Sequence, residues 1–514
     1  MAGIDIVASY EWWPAAGSTA SANFGTDFVP VDIRALPPVD LPRVELVVGS
    51  PPCTQFSFAN RGGGGDIAEG LRDVAKFLEI VEHVGPAYWV MENVPRVAAI
   101  LESELGSGGS LRRFAPLVSV VTVVDMADFG LPQARRRMLA GRFPLTLLES
   151  YKRVLPRRTI GQVIDKLARD PVTDPLYGIV LPRPTVNGLE VEPPLTEEEV
   201  RMNREAKAFH PVYNRMSFPD SFDRPSRTVT ATCTRVSRES IVVGEGKLFR
   251  RLTLRERASL QGFPITFDFY GASYNDRLKM VGNAIPPLMT FYVAHAVKGT
   301  RADDLPALEA IEYRHPQPRI RPQAVNVAPS QSRYPARRRF RAAIPNLRFG
   351  SGVRFELVNE TGGRDISWSV RFYYGSSKKI LEVPLDGALH RRIRMHSRIG
   401  SSAREWSALW ELAMGGLQDA SAASLQRRWV RGGPGPHPHD LVDALGRAAA
   451  AVRQRLAESD DRHLEALVAR ILGPRVAHVK LLQNADWVTA GFIVATVFNT
   501  RAVAARQERR TAVS

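Results

Sequence analysis

Residues 1–144 alternate short apolar runs rich in β-branched side chains with longer stretches of helical periodicity, and this alternation narrows the possible folds more than any other feature of the chain. The runs at residues 4–9, 44–49, 87–91, 117–125 and 138–143 read as strands, and residues 13–24, 67–84 and 96–105 read as helices between them. Strands separated by helices line up in a largely parallel sheet covered on both faces, the doubly wound, Rossmann-like α/β fold. In such a sheet ligands lie beyond the carboxyl ends of the strands, so the residues directly after each run are the ones to inspect.

Three of those ends carry reactive or charged groups. In GSPPCTQFSFANRGGGG, residues 49–65, Pro51 and Pro52 stop the second run and place Cys53 just before a glycine-rich loop. Taken alone, Cys53 is either a buried packing thiol or a reactive group on a loop. In YWVMENVP a third run ends at Glu92 and Asn93, where the carboxylate either caps the next helix or faces Cys53 across the rim. In FGLPQARRRMLAGRF, Gln133, Arg135, Arg136 and Arg137 precede another run, and an arginine cluster of this kind is a solvated or phosphate-facing surface.

A chain of 514 residues exceeds one ordinary core. Residues 1–144 form the expected catalytic core, and residues 145–249 are irregular, basic and rich in proline. Regular structure returns over 250–300, with Thr253 capping one helix and Pro286 and Pro287 opening another. Residues 301–345 read as a basic linker containing the run from Arg337 to Arg341. Residues 346–514 read as a separate α+β module, with strands at VRFELV, ISWSVRFYYG and KKILEVPL and helices over 402–417 and 439–472.

The net charge of +16 and a pI near 10.1 favour a polyanionic partner, and nucleic acid is the commonest. No apolar run is long enough for a membrane span, and the start lacks a secretory signal, which implies a cytoplasmic protein without membrane attachment. Two cysteines build no disulfide framework, and His437 and His439 in GPHPHD are too isolated to make a metal site, so no metal is expected.

PPCTQFS, MENV, QARRR, RRLTLRERASLQGFP and VGNAIPP occur in this order, and together they resemble the DNA (cytosine-5)-methyltransferase family over about residues 3–297. The resemblance implies methyl transfer from S-adenosyl-L-methionine to carbon 5 of cytosine in duplex DNA. It implies that Cys53 adds to ring carbon 6, that Glu92 serves ring nitrogen 3 as a general acid, and that Arg137, with Arg135 beside it, contacts the base oxygen. Asn93 would orient the loop. A stacked base cannot be reached by such chemistry, so the target must be flipped out, with Ser57 and the glycines from Gly62 to Gly65 forming a closing loop.

By the same resemblance Glu11 would hold the ribose hydroxyls of the cofactor, Trp12 would stack near its adenine, Asp32 would meet the adenine amine, and Asn283 would lie near its methionine end. Residues 145–249 would read the DNA, with Gln133, Arg224, Arg227 and Arg235 as expected DNA contacts and Cys233 as a structural thiol. The implied setting is restriction-modification or a prophage, with a monomer acting on DNA and a cognate restriction endonuclease as partner.

The chain departs from the family at its start. The family opens with a strand and a glycine loop of the form D-x-F-x-G-x-G-G, whereas this sequence opens with MAGIDIVASYEWW and contains no such loop. Three explanations stand open: a start upstream of Met1, a decayed remnant that binds DNA without catalysis, or a strand supplied by a separate polypeptide. In the C-terminal module Glu356, Asp365 and Glu382 offer a metal-nuclease reading, but Val-Pro after Glu382 argues against it, and solvated carboxylates with a binding role are the expected outcome.

Overall fold

The computed structural model describes residues 2–25, 29–56, 65–208, 216–271, 273–311, 334–349, 353–363, 365–376, 379–385, 388–389, 421–432, 435–457, 464–472 and 479–511. It divides into two compact units. Unit 1 comprises residues 1–197 and 219–327, and unit 2 comprises residues 198–218 and 328–514.

The sheet of unit 1 has four strands, β1 (Leu46–Gly49), β2 (Tyr88–Asn93), β3 (Val120–Asp125) and β4 (Arg136–Arg142), in the spatial order β1-β2-β4-β3. β1 and β2 are parallel, and β4 runs antiparallel to both of its neighbours. Helix α1 (Pro14–Phe24) precedes β1, while α2 (Ile67–Val84) and α3 (Arg96–Leu105) flank β2 in sequence. β2 is buried along nearly its whole length because helices cover both faces of the sheet. Trp89, Met91, Met138 and Ala140 pack with α2 and α3 on one face, and Val90, Val124 and Leu139 pack with the helix Pro287–Val297 on the other. This two-sided burial is the α/β arrangement expected from the alternating runs.

Local chemistry explains the element ends. The Asp66 carboxylate accepts from the Glu69 amide at the start of α2, and Gly85 closes that helix with φ +61°. The helix Leu254–Leu260 opens with a capping box in which Thr253 and Glu256 satisfy each other's amides. Gly49 has to be glycine, since a Cβ there would overlap the Phe77 ring of α2.

Residues 4–9 depart from expectation. They join no sheet, and Ile6 and Val7 are 78% and 65% exposed. Alternating apolar residues make a strand only when a neighbouring edge supplies the hydrogen bonds. Just before this segment, Lys298 Nζ donates to the Ala2 carbonyl at 2.9 Å. Among the described residues β1 therefore ends the sheet, and Val48 on it is 56% exposed.

Unit 2 contains a four-stranded antiparallel sheet in the order Lys379–Val383, Ser367–Ser376, Arg354–Glu360, Arg341–Arg348, with helices Pro438–Ala457 and Ala485–Thr511 packed against it. Residues 438–457 and 464–472 are helical as expected, and the helix expected at 402–417 lies outside the described residues. Phe355, Phe372 and Phe492 form an edge-on aromatic cluster in this core. Glu356 is fully buried and paired with Arg341 and Arg354, rather than solvated as the sequence suggested. Glu382 meets Arg371, Asp365 is exposed, and among the described residues these acids belong to no group that could hold a metal ion. The helix Glu197–Lys207 comes from the middle of the irregular region 145–249, yet it packs in unit 2 from Glu198 onward.

Candidate active site

Because β1 and β2 are parallel, their carboxyl ends share one rim, and the antiparallel β4 begins on that same rim. Three sequence motifs separated by tens of residues therefore meet. Ser50, directly after β1, donates through Oγ to Glu92 Oε2 at 2.7 Å. Arg137, near the start of β4, holds the other carboxylate oxygen, with Nε 2.9 Å from Glu92 Oε1. Asn93 Nδ2 donates to the Pro51 carbonyl at 3.0 Å, which ties the end of β2 to the segment that carries Cys53. Ser50 was not singled out from the sequence, although a hydroxyl next to a strand end is the signal that could have found it.

Cys53 sits in a turn closed by the Phe56 amide donating to the Cys53 carbonyl at 3.0 Å. Burial pushes its thiol above the ordinary value, and the nearby Arg137 charge pulls the other way, while Glu92 adds to the rise. The thiol, the carboxylate and the guanidinium thus lie within electrostatic reach of one another. A thiol, a carboxylate and a fixed positive charge therefore share one rim. Ser57 and Gly62 to Gly64 of the expected closing loop lie outside the described residues.

Arg135 is placed differently from Arg137. It is buried, and its guanidinium donates to the carbonyls of Val229, Gly282 and Ala284 at 3.1, 3.1 and 3.2 Å. Burial and the adjacent Arg137 charge push it down to about 9, which still leaves it a cation at neutral pH. Its donors are turned toward protein backbone and knit the irregular region to the VGNAIPP motif, so it supports the rim from behind. Gly282 allows this close approach, since a Cβ there would overlap the Ala231 backbone.

The residues assigned to the cofactor are gathered more loosely. Glu11 Oε1 accepts from the Trp13 amide at 2.8 Å, and Asp32 Oδ1 accepts from the Arg34 amide at 2.9 Å. One backbone hydrogen bond, Val31 N to Glu11 O at 2.9 Å, brings the two segments side by side. Trp12 is 66% exposed, and Asn283 is exposed at the end of the helix Tyr274–Asn283. Behind them α1 is anchored through Thr19, whose hydroxyl accepts from the Tyr270 amide at 3.0 Å and lies 3.2 Å from Met280 Sδ. Lys279 Nζ lies 4.6 Å from the Trp13 ring centre.

The expected DNA contacts divide sharply. Gln133 is fully buried; its amide donates to the Leu260 carbonyl and to Gln261 Oε1, and its oxygen accepts from the Val229 amide. Arg227 forms a forked pair with Asp220 and reaches the carbonyls of Arg238 and Ser240. Arg235 donates to the carbonyls of Pro193 and Pro194. These three are structural braces with their donors engaged inside the protein, and only Arg224 is exposed. Cys233 is buried, its carbonyl accepting from Arg251, as a structural thiol should be.

Comparison with known proteins adds a family to this geometry. The family model for C-5 cytosine-specific DNA methylase matches residues 1–299. Type II methyltransferase M.FnuDI of Fusobacterium nucleatum is 25% identical over 319 residues, covering 59% of this chain and 90% of its own length. M.MthTI of Methanothermobacter thermautotrophicus is 28% identical over 323 residues, covering 58% and 91%. Among solved structures, the Dnmt2 methyltransferase of S. pombe aligns over 57% of this chain and 91% of its own, at 17% identity and a TM-score of 0.37. Among the described residues no helix is long and apolar enough to cross a membrane.

Proposed function

Because the chain belongs to the C-5 cytosine-specific DNA methylase family, we propose that it methylates carbon 5 of cytosine in duplex DNA using S-adenosyl-L-methionine, in a restriction-modification or prophage setting. The observation that carries this reading is the Glu92 carboxylate, fixed from two sides by Arg137 and Ser50 on the rim that also holds Cys53.

The chemistry follows from those groups. Cytosine carbon 5 is a weak nucleophile until a thiolate adds to carbon 6. The Cys53 sulfur forms that bond while Glu92 gives a proton or a strong hydrogen bond to ring nitrogen 3, so the ring electrons shift toward carbon 5. Arg137 keeps a positive charge beside the ring oxygen as negative charge develops there. S-adenosyl-L-methionine, when bound, supplies the electrophilic methyl group. Once carbon 5 carries the methyl group and the cofactor has left as its thioether, a water molecule takes the carbon 5 proton, Cys53 departs as thiolate, and the proton or hydrogen bond at ring nitrogen 3 returns to Glu92, which restores the aromatic ring. The base reaches this rim only when flipped from the stack.

The nucleoside end of the cofactor fits the residues present. Glu11 and Asp32 each use one carboxylate oxygen on a local amide, and Val31 keeps the two acids adjacent, so their remaining oxygens can accept from ribose hydroxyls and an adenine amine. The open face of Trp12 suits a stacked purine, and Asn283 suits the methionine end.

The test is covalent trapping on duplex DNA containing 5-fluorocytosine, with labelled cofactor. A stable protein–DNA adduct is expected, and Cys53→Ala should lower it on the order of 10⁴-fold or more. Absence of adduct both for this chain and for one extended upstream in frame sinks the reading. The open edge of β1 and the unpaired run from Ile4 to Val7 favour a second reading, in which the chain binds DNA without completing transfer. Binding without adduct, rescued by the extension, would identify that case.

A further inference from the structure

The basic character of this protein is concentrated in one place. Residues 328–514 carry 30 Lys and Arg against 16 Asp and Glu, so +14 of the chain's +16 lies there, and residues 1–327 are close to balance. The family match ends at residue 299, so the surplus charge lies outside the part shared with the relatives.

Many arginines of unit 2 have carboxylate partners. Arg341 and Arg354 share Glu356, Arg371 meets Glu360 and Glu382, Arg201 meets Asp440 and Asp443, and Arg428 meets Glu198. Four others do not. Residues 334–339, read from the sequence as part of a linker, lie along the helix Ala422–Arg431. The Tyr334 amide donates to the Val430 carbonyl, Gln426 Nε2 to the Ala336 carbonyl, and Trp429 Nε1 to the Arg339 carbonyl, at 3.3, 2.9 and 3.2 Å.

Arg338 points inward, with its guanidinium carbon 3.5 Å from the Tyr334 ring centre and 3.7 Å from that of Trp429. Its neighbours Arg337 and Arg339 are exposed, and so are Arg427 and Arg431 on the helix. Arg337 donates to the Thr361 carbonyl, which leaves its charge uncompensated. Among the described residues none of these four arginines meets a carboxylate. Arg337 and Arg339 lie two residues apart and Arg427 and Arg431 lie one helical turn apart, so each pair puts like charges close together with no carboxylate between them, and guanidinium forks match phosphate oxygens.

We propose that unit 2 binds the phosphate backbone of duplex DNA through Arg337, Arg339, Arg427 and Arg431. This rests on the reading of DNA as the substrate. The unit also holds part of the segment that separates the QARRR and LTLRE motifs. Arg338 Nη2 lies 3.5 Å from Met202 Sδ on the helix Glu197–Lys207, and Glu198 of that helix lies 3.5 Å from Arg428 and 3.3 Å from His437 Nε2. The patch therefore adds sequence-independent grip to the same body that carries a piece of the variable region.

The test uses the full-length chain and a fluorescent DNA duplex, with affinity followed by anisotropy across salt. The variant R337Q/R339Q/R427Q/R431Q is expected to bind about 10²-fold more weakly at the low-salt end, and its log–log salt slope should be about 3 to 4 units shallower. A control of equal charge, R447Q/R453Q/R455Q/R470Q, removes exposed arginines from other helices of the unit and should leave the slope within about one unit of the parent.

An unchanged slope in the patch variant overturns the proposal, as does an equal loss in both variants, or a loss seen with duplex RNA and not with DNA. If thermal melting shows the fourfold variant misfolded, Arg427→Gln and Arg431→Gln on the exposed helix face should each reduce the slope by about 0.9, and no reduction in either overturns it. At saturating DNA the patch variant should still form the Cys53 adduct. Failure of the parent chain to form adduct while the patch effect persists counts against the catalytic reading alone.

Discussion

Glu92 and Glu11 are both acids assigned to the same reaction, yet they are held very differently. Glu92 ends a buried central strand, and each of its oxygens has a fixed partner, Ser50 on one and Arg137 on the other. Glu11 is exposed, precedes a helix, and accepts one hydrogen bond from a residue two positions away. The half of the site that would touch the base is built from strands locked on both sides. Among the described residues, the half that would touch the cofactor has its Glu11 and Asp32 segments joined by the backbone hydrogen bond from Val31 N to Glu11 O. Rigid placement matters most where bonds form, because small errors in geometry there cost large factors in rate.

Glu92→Gln keeps the shape and the Ser50 contact but removes the acid, so methyl transfer should fall about 10²- to 10⁴-fold while DNA affinity measured by anisotropy is unchanged. A loss below tenfold would show that the fixed carboxylate is only a brace. Next, Arg135→Leu strands the buried carbonyls of Val229 and Gly282, and urea denaturation should show a loss of about 2 to 4 kcal/mol. Arg137→Gln, at the more accessible rim, should cost far less stability and mostly activity.

The weak side gives smaller effects. Glu11→Ala should weaken cofactor binding about tenfold by calorimetry without changing the melting temperature, because its present contact is local. An unchanged affinity would mean that the loose half does not meet the cofactor as placed. The smallest effect concerns pH. With its thiol raised above the ordinary 9.0, Cys53 holds less thiolate at neutral pH, so alkylation by iodoacetamide should keep accelerating past that value. Because Arg137 opposes the rise, Arg137→Gln should move the midpoint higher still and slow alkylation a few-fold near neutrality.

Much of this was readable in advance where the signal was local. The helices after Asp66 and Thr253 begin where their caps predict, and PPC and MEN lie at strand ends because prolines stop the strands there. The unread part depends on partners far along the chain. Gln133 looks like any exposed amide until its bonds to residues 260 and 261 are seen, and Arg227 looks free until Asp220 and the carbonyl of Ser240 surround it. Residues 4–9 have the pattern of a strand, but pairing needs an edge that sequence alone does not place. Membership of residues 198–218 in unit 2 rests on helix packing across more than two hundred positions, for which no local pattern exists.

The bare edge at β1 also bears on how the purified protein behaves in a tube. Val48 lies there uncovered, and Ile6, Val7 and Trp12 add further greasy surface within the first fifty residues. A strand left at the sheet edge among the described residues, with apolar neighbours, invites another molecule to zip onto it, and mutual repulsion from a net charge of +16 stands against that. Salt shortens the reach of this repulsion to about 10 Å at 0.1 M. The ionic strength that loosens the protein from DNA is therefore the one that should make its solutions turn cloudy.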